Sequence, residues 1–403
     1  MKRADGYLLL VYVLVCSALY LRIRVEPTGF ISPDSEYYLE CAQNLLDGRG
    51  FLRTDAYPIP TPRDETRQVF FAAWPVGYPL MIAGLGWLTG LSLFWASKLL
   101  SAGCIGGMLL LFRHIDREHA WVLGLVFGTH TLLDVYSFTW SEVPFNFGIL
   151  AFCLLLYRFV YGPGRAADLG LLGLCSVFLF LCRYIGVVGV LVMGAVGVYS
   201  VWSTQKAKGR QLLIVSVASG LLIALYLYMN YRLSGYPTGI ARNQYGVESW
   251  GAYVYMVGRG LLSEAVLADV ALSWRPLSGR FIVLGIFQLV LLLVFYLREG
   301  RRVYWVTHGT YDALARVCLG TGAAYLVLLL VLRRISLFEA LYGRHFSPFL
   351  LLWLVAGLLY LIAPERRLLY RRALPYELLL FGLSYVLNTP KTIVLDWIRH
   401  LFG

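Results

Sequence analysis

Tyr7-Leu8-Leu9-Leu10-Val11-Tyr12-Val13-Leu14-Val15-Cys16-Ser17-Ala18-Leu19-Tyr20-Leu21 carries no charge and comes after a short basic start at Lys2 and Arg3. Extended to about residue 24, the run approaches the roughly 20 apolar residues that a helix needs to cross the hydrocarbon core. No A-x-A cleavage site follows, so it reads as an uncleaved first span. In lipid every backbone polar group must be paired within the chain, which leaves helices or closed barrels. The run is too long for a barrel strand.

The rest of the chain repeats this pattern. Of its 403 residues 59% are apolar and only 14% charged, with a mean hydropathy of +0.67, outside the range of ordinary soluble domains. Further spans are expected near 92–112, 120–137, 140–160, 168–182, 184–202, 212–230, 281–297, 316–332 and 347–363, with a possible eleventh from 377. The expected fold is therefore all-α, a polytopic transmembrane bundle of 10 to 11 spans forming a single domain over 1–403. Seven scattered cysteines suit small core hydrophobes better than a disulfide framework.

Charge gives the direction. The net charge of +12 would suit nucleic acid, but the basic residues cluster in short loops, where they orient a membrane protein. With the N-terminus cytoplasmic, that side receives Arg113 and Arg117, Arg165, Lys206, Lys208 and Arg210, then Arg298, Arg301 and Arg302, and Arg366, Arg367, Arg371 and Arg372. Arg333 and Arg334 are exceptions. Two segments on the other side, about 25–91 and 231–280, are too long to be mere connectors and are expected to be functional. The first should hold a helix from Ser35 to Leu46, bounded by Pro33 and Gly48, and an interfacial one from Pro79 to Leu88. The final stretch, Thr392 to Phe402, suits the interface.

Charged residues at the outer boundary are the candidate site. Asp34 and Glu36 stand at the mouth of the first loop helix. Asp34 would cap that helix, or serve as a base or cation ligand. Asp134 and Glu142 flank a short outer turn, where acids are costly unless paired, solvated or metal-bound. Arg183 and Arg344 face the same side and suit phosphate oxygens, although snorkelling to headgroups is the plainer account. His345 is a possible ligand beside Arg344. Walker loops, H-E-x-x-H, paired C-x-x-C and a convincing G-x-S-x-G are absent, which disfavours nucleotide, zinc-protease and serine-hydrolase chemistry.

Taken in order, Asp34-Ser35-Glu36-Tyr37-Tyr38, Trp74-Pro75-Val76-Gly77-Tyr78-Pro79-Leu80, Ser141-Glu142, Arg183-Tyr184-Ile185-Gly186 and Arg344-His345-Phe346-Ser347-Pro348 resemble the integral membrane glycosyltransferases of the GT-C fold. The similarity is to bacterial relatives of protein mannosyltransferases and lipid A aminoarabinose transferases. It implies a polyprenyl-phosphate sugar as donor and a glycan, lipid or protein acceptor, with the site on the extracytoplasmic face of a bacterial inner membrane. Asp34 becomes the leading base or cation-proximal acid, with Glu36 and Glu142 in support. Arg183, Arg344, Tyr38, His345 and Asp134 become substrate or phosphate contacts, and a divalent cation near Asp34 and Asp134 is the one cofactor implied. Direct displacement would invert the anomeric centre.

The pattern departs from that family in places. Ser35 separates two acids that are often adjacent, His345 stands where tyrosine is common, and no soluble C-terminal domain is expected. A transporter or flippase of lipid-linked sugars, and a non-catalytic scaffold, are the alternatives. The first would favour inverted halves and mid-span charges, which the sequence lacks.

Overall fold

The expected first span forms as α1, Arg3–Val25. The computed structural model describes residues 3–25, 29–54, 68–203, 205–239, 248–270, 276–299, 309–336, 338–390 and 399. Eight helices there are long and apolar enough to cross a membrane, so the chain is a multi-pass membrane protein. The expected interfacial run at 392–402 lies outside the described residues, Arg399 apart.

After α1 the chain forms α2, Pro33–Leu46, a two-stranded antiparallel hairpin of β1, Leu52–Thr54, and β2, Gln68–Phe70, and α3, Gly77–Thr89. These pieces build a cap on one end of the bundle. Tyr38, Phe71, Tyr78 and Ile82 form its buried core, with Trp74 stacked on Tyr37 at 5.1 Å. Helix α4, Leu93–Ile115, then returns to the opposite end.

The expected span 120–137 is not one helix. It runs as α5, Ala120–Leu123, a 3₁₀ turn over Gly124–Gly128, and α6, His130–Ser137. Irregular backbone at membrane depth is tolerated only where protein covers it. Here Val126, Phe127, Gly128 and Thr129 are buried, and the break is satisfied locally. The Thr129 side chain accepts from Leu132 N–H, and His130 N–H donates to Leu267 O at 2.9 Å. Apolar content alone could not reveal this, because the break changes backbone pairing and not hydropathy.

Next come α7, Glu142–Tyr161, α8, Ala166–Cys182, a 3₁₀ turn at Tyr184–Val187 running into α9, Val188–Trp202, and α10, Lys206–Ser234. Helix α11, Trp250–Ala265, occupies the second long loop. Helices α12, Gly279–Glu299, α13, Thr310–Ile335, and α14, Gly343–Ile362, follow. The last helix, α15, Arg367–Asn388, is longer than the sequence suggested. At 22 residues and about 1.5 Å per residue it extends about 33 Å. Tyr370 meets His119 at one end, and Asn388 O accepts from Arg22 at the other. It therefore runs the length of the bundle, with Arg371 and Arg372 inside it and not in a loop.

Charges gather at both ends. The basic end pairs Asp5 with Arg113 and Arg117 and Asp312 with Arg366. Lys208 donates to the Val160 and Gly162 carbonyls. The exceptions to the charge bias find partners on their own side. Arg333 lies 3.3 Å from Glu248, and Arg334 sits over the Trp250 ring at 4.2 Å.

The turn between α8 and α9 depends on a close backbone approach. A Cβ on Gly186 would collide with the backbone of Leu179 and Phe180, whereas one on Gly103 would meet nothing within 4 Å. Overpacking of a tight site costs about 1–3 kcal/mol. Gly186→Ala is expected to lower the melting temperature of the detergent-purified protein by several degrees and Gly103→Ala to leave it unchanged or higher. Equal melting temperatures would show that the α8–α9 turn is not held this way.

Candidate functional site

Helix α2, Pro33–Leu46, begins two residues earlier than the sequence suggested. Its cap is Ser32, whose side chain accepts from Ser35 N–H, while the Ser35 side chain returns a bond to Ser32 N–H. This reciprocal box satisfies the helix start, so Asp34 is not consumed as a cap. Its carboxylate instead reaches Arg344, where Nη2 donates to Oδ2 at 2.6 Å.

Arg344 lies in the first turn of α14, inside the helix and not in the preceding turn. Its fork is shared among three carboxylates. Besides Asp34, Nε donates to Glu142 Oε1 at 2.8 Å, and Nη1 lies 3.2 Å from Glu339 Oε1. Glu142 starts α7 and forms a second ion pair with Arg183, which stands at the C-terminus of α8. The Trp140 ring lies under the Arg344 guanidinium at 4.8 Å. Residues as far apart in sequence as 34 and 344 thus meet at one end of the bundle.

Exposure divides the three acids. The Glu142 side chain has no exposed surface, while Asp34 is 23% and Glu339 47% exposed. Glu142 Oε2 is buried without a hydrogen-bond partner. Glu142 is therefore enclosed, with its Oε1 against both arginines. Asp34 and Glu339 form the accessible rim. Three carboxylates against two guanidiniums leave one formal negative charge in surplus, which a proton or cation would complement.

The remaining candidates stand at differing distances from the Arg344 cluster. Tyr38 is buried behind the cluster, and its hydroxyl bonds Ser141 Oγ at 3.1 Å, steadying the turn before Glu142. Burial pushes the Tyr38 phenol upward, with the Asp34 charge adding to the rise. His345 is buried, with Nε2 3.5 Å from Glu339. Glu36 is exposed and lies two positions along α2 from Asp34, so the helix turns it from the cluster. Asp134 does not join Asp34, because Arg22 Nη2 holds it at 2.8 Å. Asp34 and Asp134, expected to share a cation, are thus engaged by different arginines, and no group of three His, Cys, Asp or Glu gathers among the described residues to hold a metal ion.

Sequence reasoning missed three groups here. Glu339 sits in a short loop beside the exceptional Arg333 and Arg334, where charge marked an irregularity and not a site. Lys98 is buried in α4 and donates to Ser137 O and Thr139 Oγ1 at 2.7 and 3.0 Å, pinning the turn that leads to Trp140. Arg22 holds the same turn through Ser137 Oγ at 2.9 Å. A cavity of about 260 Å³ opens beside the cluster, lined by Ser32, His130, Asp134, Trp140, Tyr342 and Gly343 among others. Burial pushes the Tyr342 phenol up to about 12 against the pull of Arg344, so it remains a neutral donor. Behind the cavity wall, Thr131 donates to the buried Glu264 at 2.7 Å.

Among solved structures, the chain is similar to the apo crystal structure of ArnT from Cupriavidus metallidurans, at 14% identity and a TM-score of 0.49. The match covers 93% of this chain and 63% of that one, so the chain spans less than two thirds of the length of the protein it matches. No family model matches the chain, and no curated protein does.

Two measurements test the site. Breaking a buried ion pair from one side typically costs roughly 3–5 kcal/mol, so Glu142→Ala should sharply lower the melting temperature, and an unchanged value would remove Glu142 as the anchor. Burial raises Glu264 to about 7, with the Thr131 bond opposing. Its stabilising effect is then complete below the ordinary carboxylate range and is lost as pH rises through about 7. Glu264→Gln should flatten that part of the melting-temperature profile between pH 5 and about 7, and a parallel profile would contradict the assignment.

Proposed function

We propose that this chain is a membrane glycosyltransferase of the GT-C type, moving a sugar from a polyprenyl-phosphate donor to an acceptor at the extracytoplasmic face. The observation that carries the reading is the junction at Arg344, where Asp34, Glu142 and Glu339 meet one guanidinium and Glu142 brings a second from Arg183. Its support from sequence is the order of the loop acid, the Ser141-Glu142 helix start and the two late arginine motifs.

The chemistry asks for two things that such a junction supplies. Negative charge grows on the phosphate as the bond to the anomeric carbon breaks, and preorganised cations stabilise it best in a water-poor site. The acceptor hydroxyl must lose its proton as it attacks, which a rim carboxylate can accept. Arg183 and Arg344 serve the first need, held in place by Glu142. The carboxylates of the rim serve the second, and attack opposite the leaving phosphate inverts the anomeric centre. Asp34 and Asp134 face different arginines, so the protein's own side chains carry the proton and phosphate roles in this reading. With the basic end cytoplasmic, in the sense of a bacterial inner membrane, the junction faces outward.

Asp34 is required whether it meets the acceptor or only steadies Arg344. The test is a purified Asp34→Asn variant with a panel of polyprenyl-phosphate sugars. The parent should transfer from at least one donor and the variant at least 100-fold more slowly, within the usual range for a lost acid or base, at a melting temperature within a few degrees. Parental rates in the variant would remove Asp34 from the site. No transfer by the parent from any donor, with movement of the lipid across vesicles, would favour a flippase.

A further inference from the structure

We infer that Glu339 is the group that takes the acceptor's proton, with Asp34 as the residue that holds Arg344 for the phosphate. The inference rests on the glycosyl-transfer reading and deepens it.

The three acids on Arg344 differ in what each has left to offer. Glu142 is enclosed and its Oε1 is shared by two guanidiniums. Asp34 is committed by a 2.6 Å charge-assisted bond to Arg344, a short and strong contact that fixes its orientation. Glu339 has the loosest tie, 3.2 Å from Oε1 to Arg344 Nη1, and the most exposed side chain at 47%. Its Oε2 lies 3.5 Å from the Tyr342 hydroxyl. Tyr342, which contacts that oxygen, also lines the 260 Å³ cavity, so Glu339 stands one side chain behind the cavity wall. Pockets for drug-sized ligands run roughly 300–1,000 Å³, so this cavity suits one sugar ring or a similar acceptor group.

The surroundings leave room for a proton. Arg344 and His345 face Glu339 from α14, Asp34 from α2, Arg183 from the end of α8, and Tyr342 from its own loop. The cluster has one more carboxylate than guanidinium, so protonating Glu339 brings it to neutrality just as the phosphate departs. In the step, the acceptor oxygen bonds the anomeric carbon and the bond from that carbon to the phosphate oxygen breaks. The electron pair leaves with the polyprenyl phosphate, and the acceptor's proton passes to Glu339 Oε2.

An acceptor without a proton separates this role from a structural one. Azide attacks the anomeric carbon and needs no base, whereas water and lipid hydroxyls need one. The purified full chain is supplied with a panel of polyprenyl-phosphate pentoses and hexoses, and with water, a membrane lipid extract or azide as acceptor. In Glu339→Ala and Glu339→Gln, transfer to the hydroxyl acceptors should fall at least 100-fold, while glycosyl azide forms within about threefold of the parental rate. Glu339→Asp should recover part of the hydroxyl transfer. Hydroxyl transfer within threefold of the parent in Glu339→Gln would overturn the inference, as would equal loss of azide and hydroxyl transfer. Failure of the parent to transfer from any donor to any of these acceptors would overturn the glycosyl-transfer reading and this inference with it.

Discussion

The structure turns on one guanidinium. Arg344 brings together acids from the first loop, the fourth crossing and the loop before α14, and through Glu142 it is joined to Arg183. Ions taken out of water are stable only when paired with good geometry, since each carries a desolvation penalty of several kcal/mol. Arg344, Glu142 and Arg183 therefore constrain where α7, α8 and α14 can stand relative to one another. The aromatic base under the guanidinium, Trp140, is fixed in turn by its bond to Ser32 Oγ at 2.8 Å. Ser32 is also the cap of the helix that carries Asp34, so the first loop and the outer turn are positioned by a common residue.

This explains why an irregular crossing persists in the middle of the bundle. The outer turn after α6 must deliver Trp140 and Glu142 to Arg344, while Lys98 and Arg22 grip its backbone and Ser137. The 3₁₀ turn at Gly124–Gly128 lies where α15 packs closely, with the Phe381 carbonyl 3.0 Å from where a Cβ on Gly128 would stand. Burial by α15 supplies the cover that broken backbone needs. The last helix thus supports the site although none of its residues belongs to it.

Much of the architecture was legible from the sequence because apolar length and charge bias report directly on lipid and orientation. Pro33 and Gly48 marked the ends of α2, and Asp34, Glu142, Arg183 and Arg344 were recognisable as boundary charges. Their meeting was not legible from local pattern, since no periodicity connects residues 34 and 344. The cap was misplaced because Ser32 and Asp34 are equally able to cap, and only geometry shows which one does. Gly124, Gly128 and Thr129 were the available signals for the broken crossing, but in a glycine-containing span they read equally as close helix packing. Pro375 lies inside α15, and the basic residues before it made that stretch look like a loop.

The central claim is that the two arginines form a site for a lipid phosphate. Its most direct test is the melting temperature of the purified protein titrated with undecaprenyl phosphate and, separately, with undecaprenol, since a ligand that binds only the folded state raises stability by mass action. The phosphate should raise the melting temperature in a saturable manner while the alcohol does not, and Arg183→Gln should abolish the difference. Equal responses to the two lipids in the parent would contradict a phosphate site at Arg183 and Arg344.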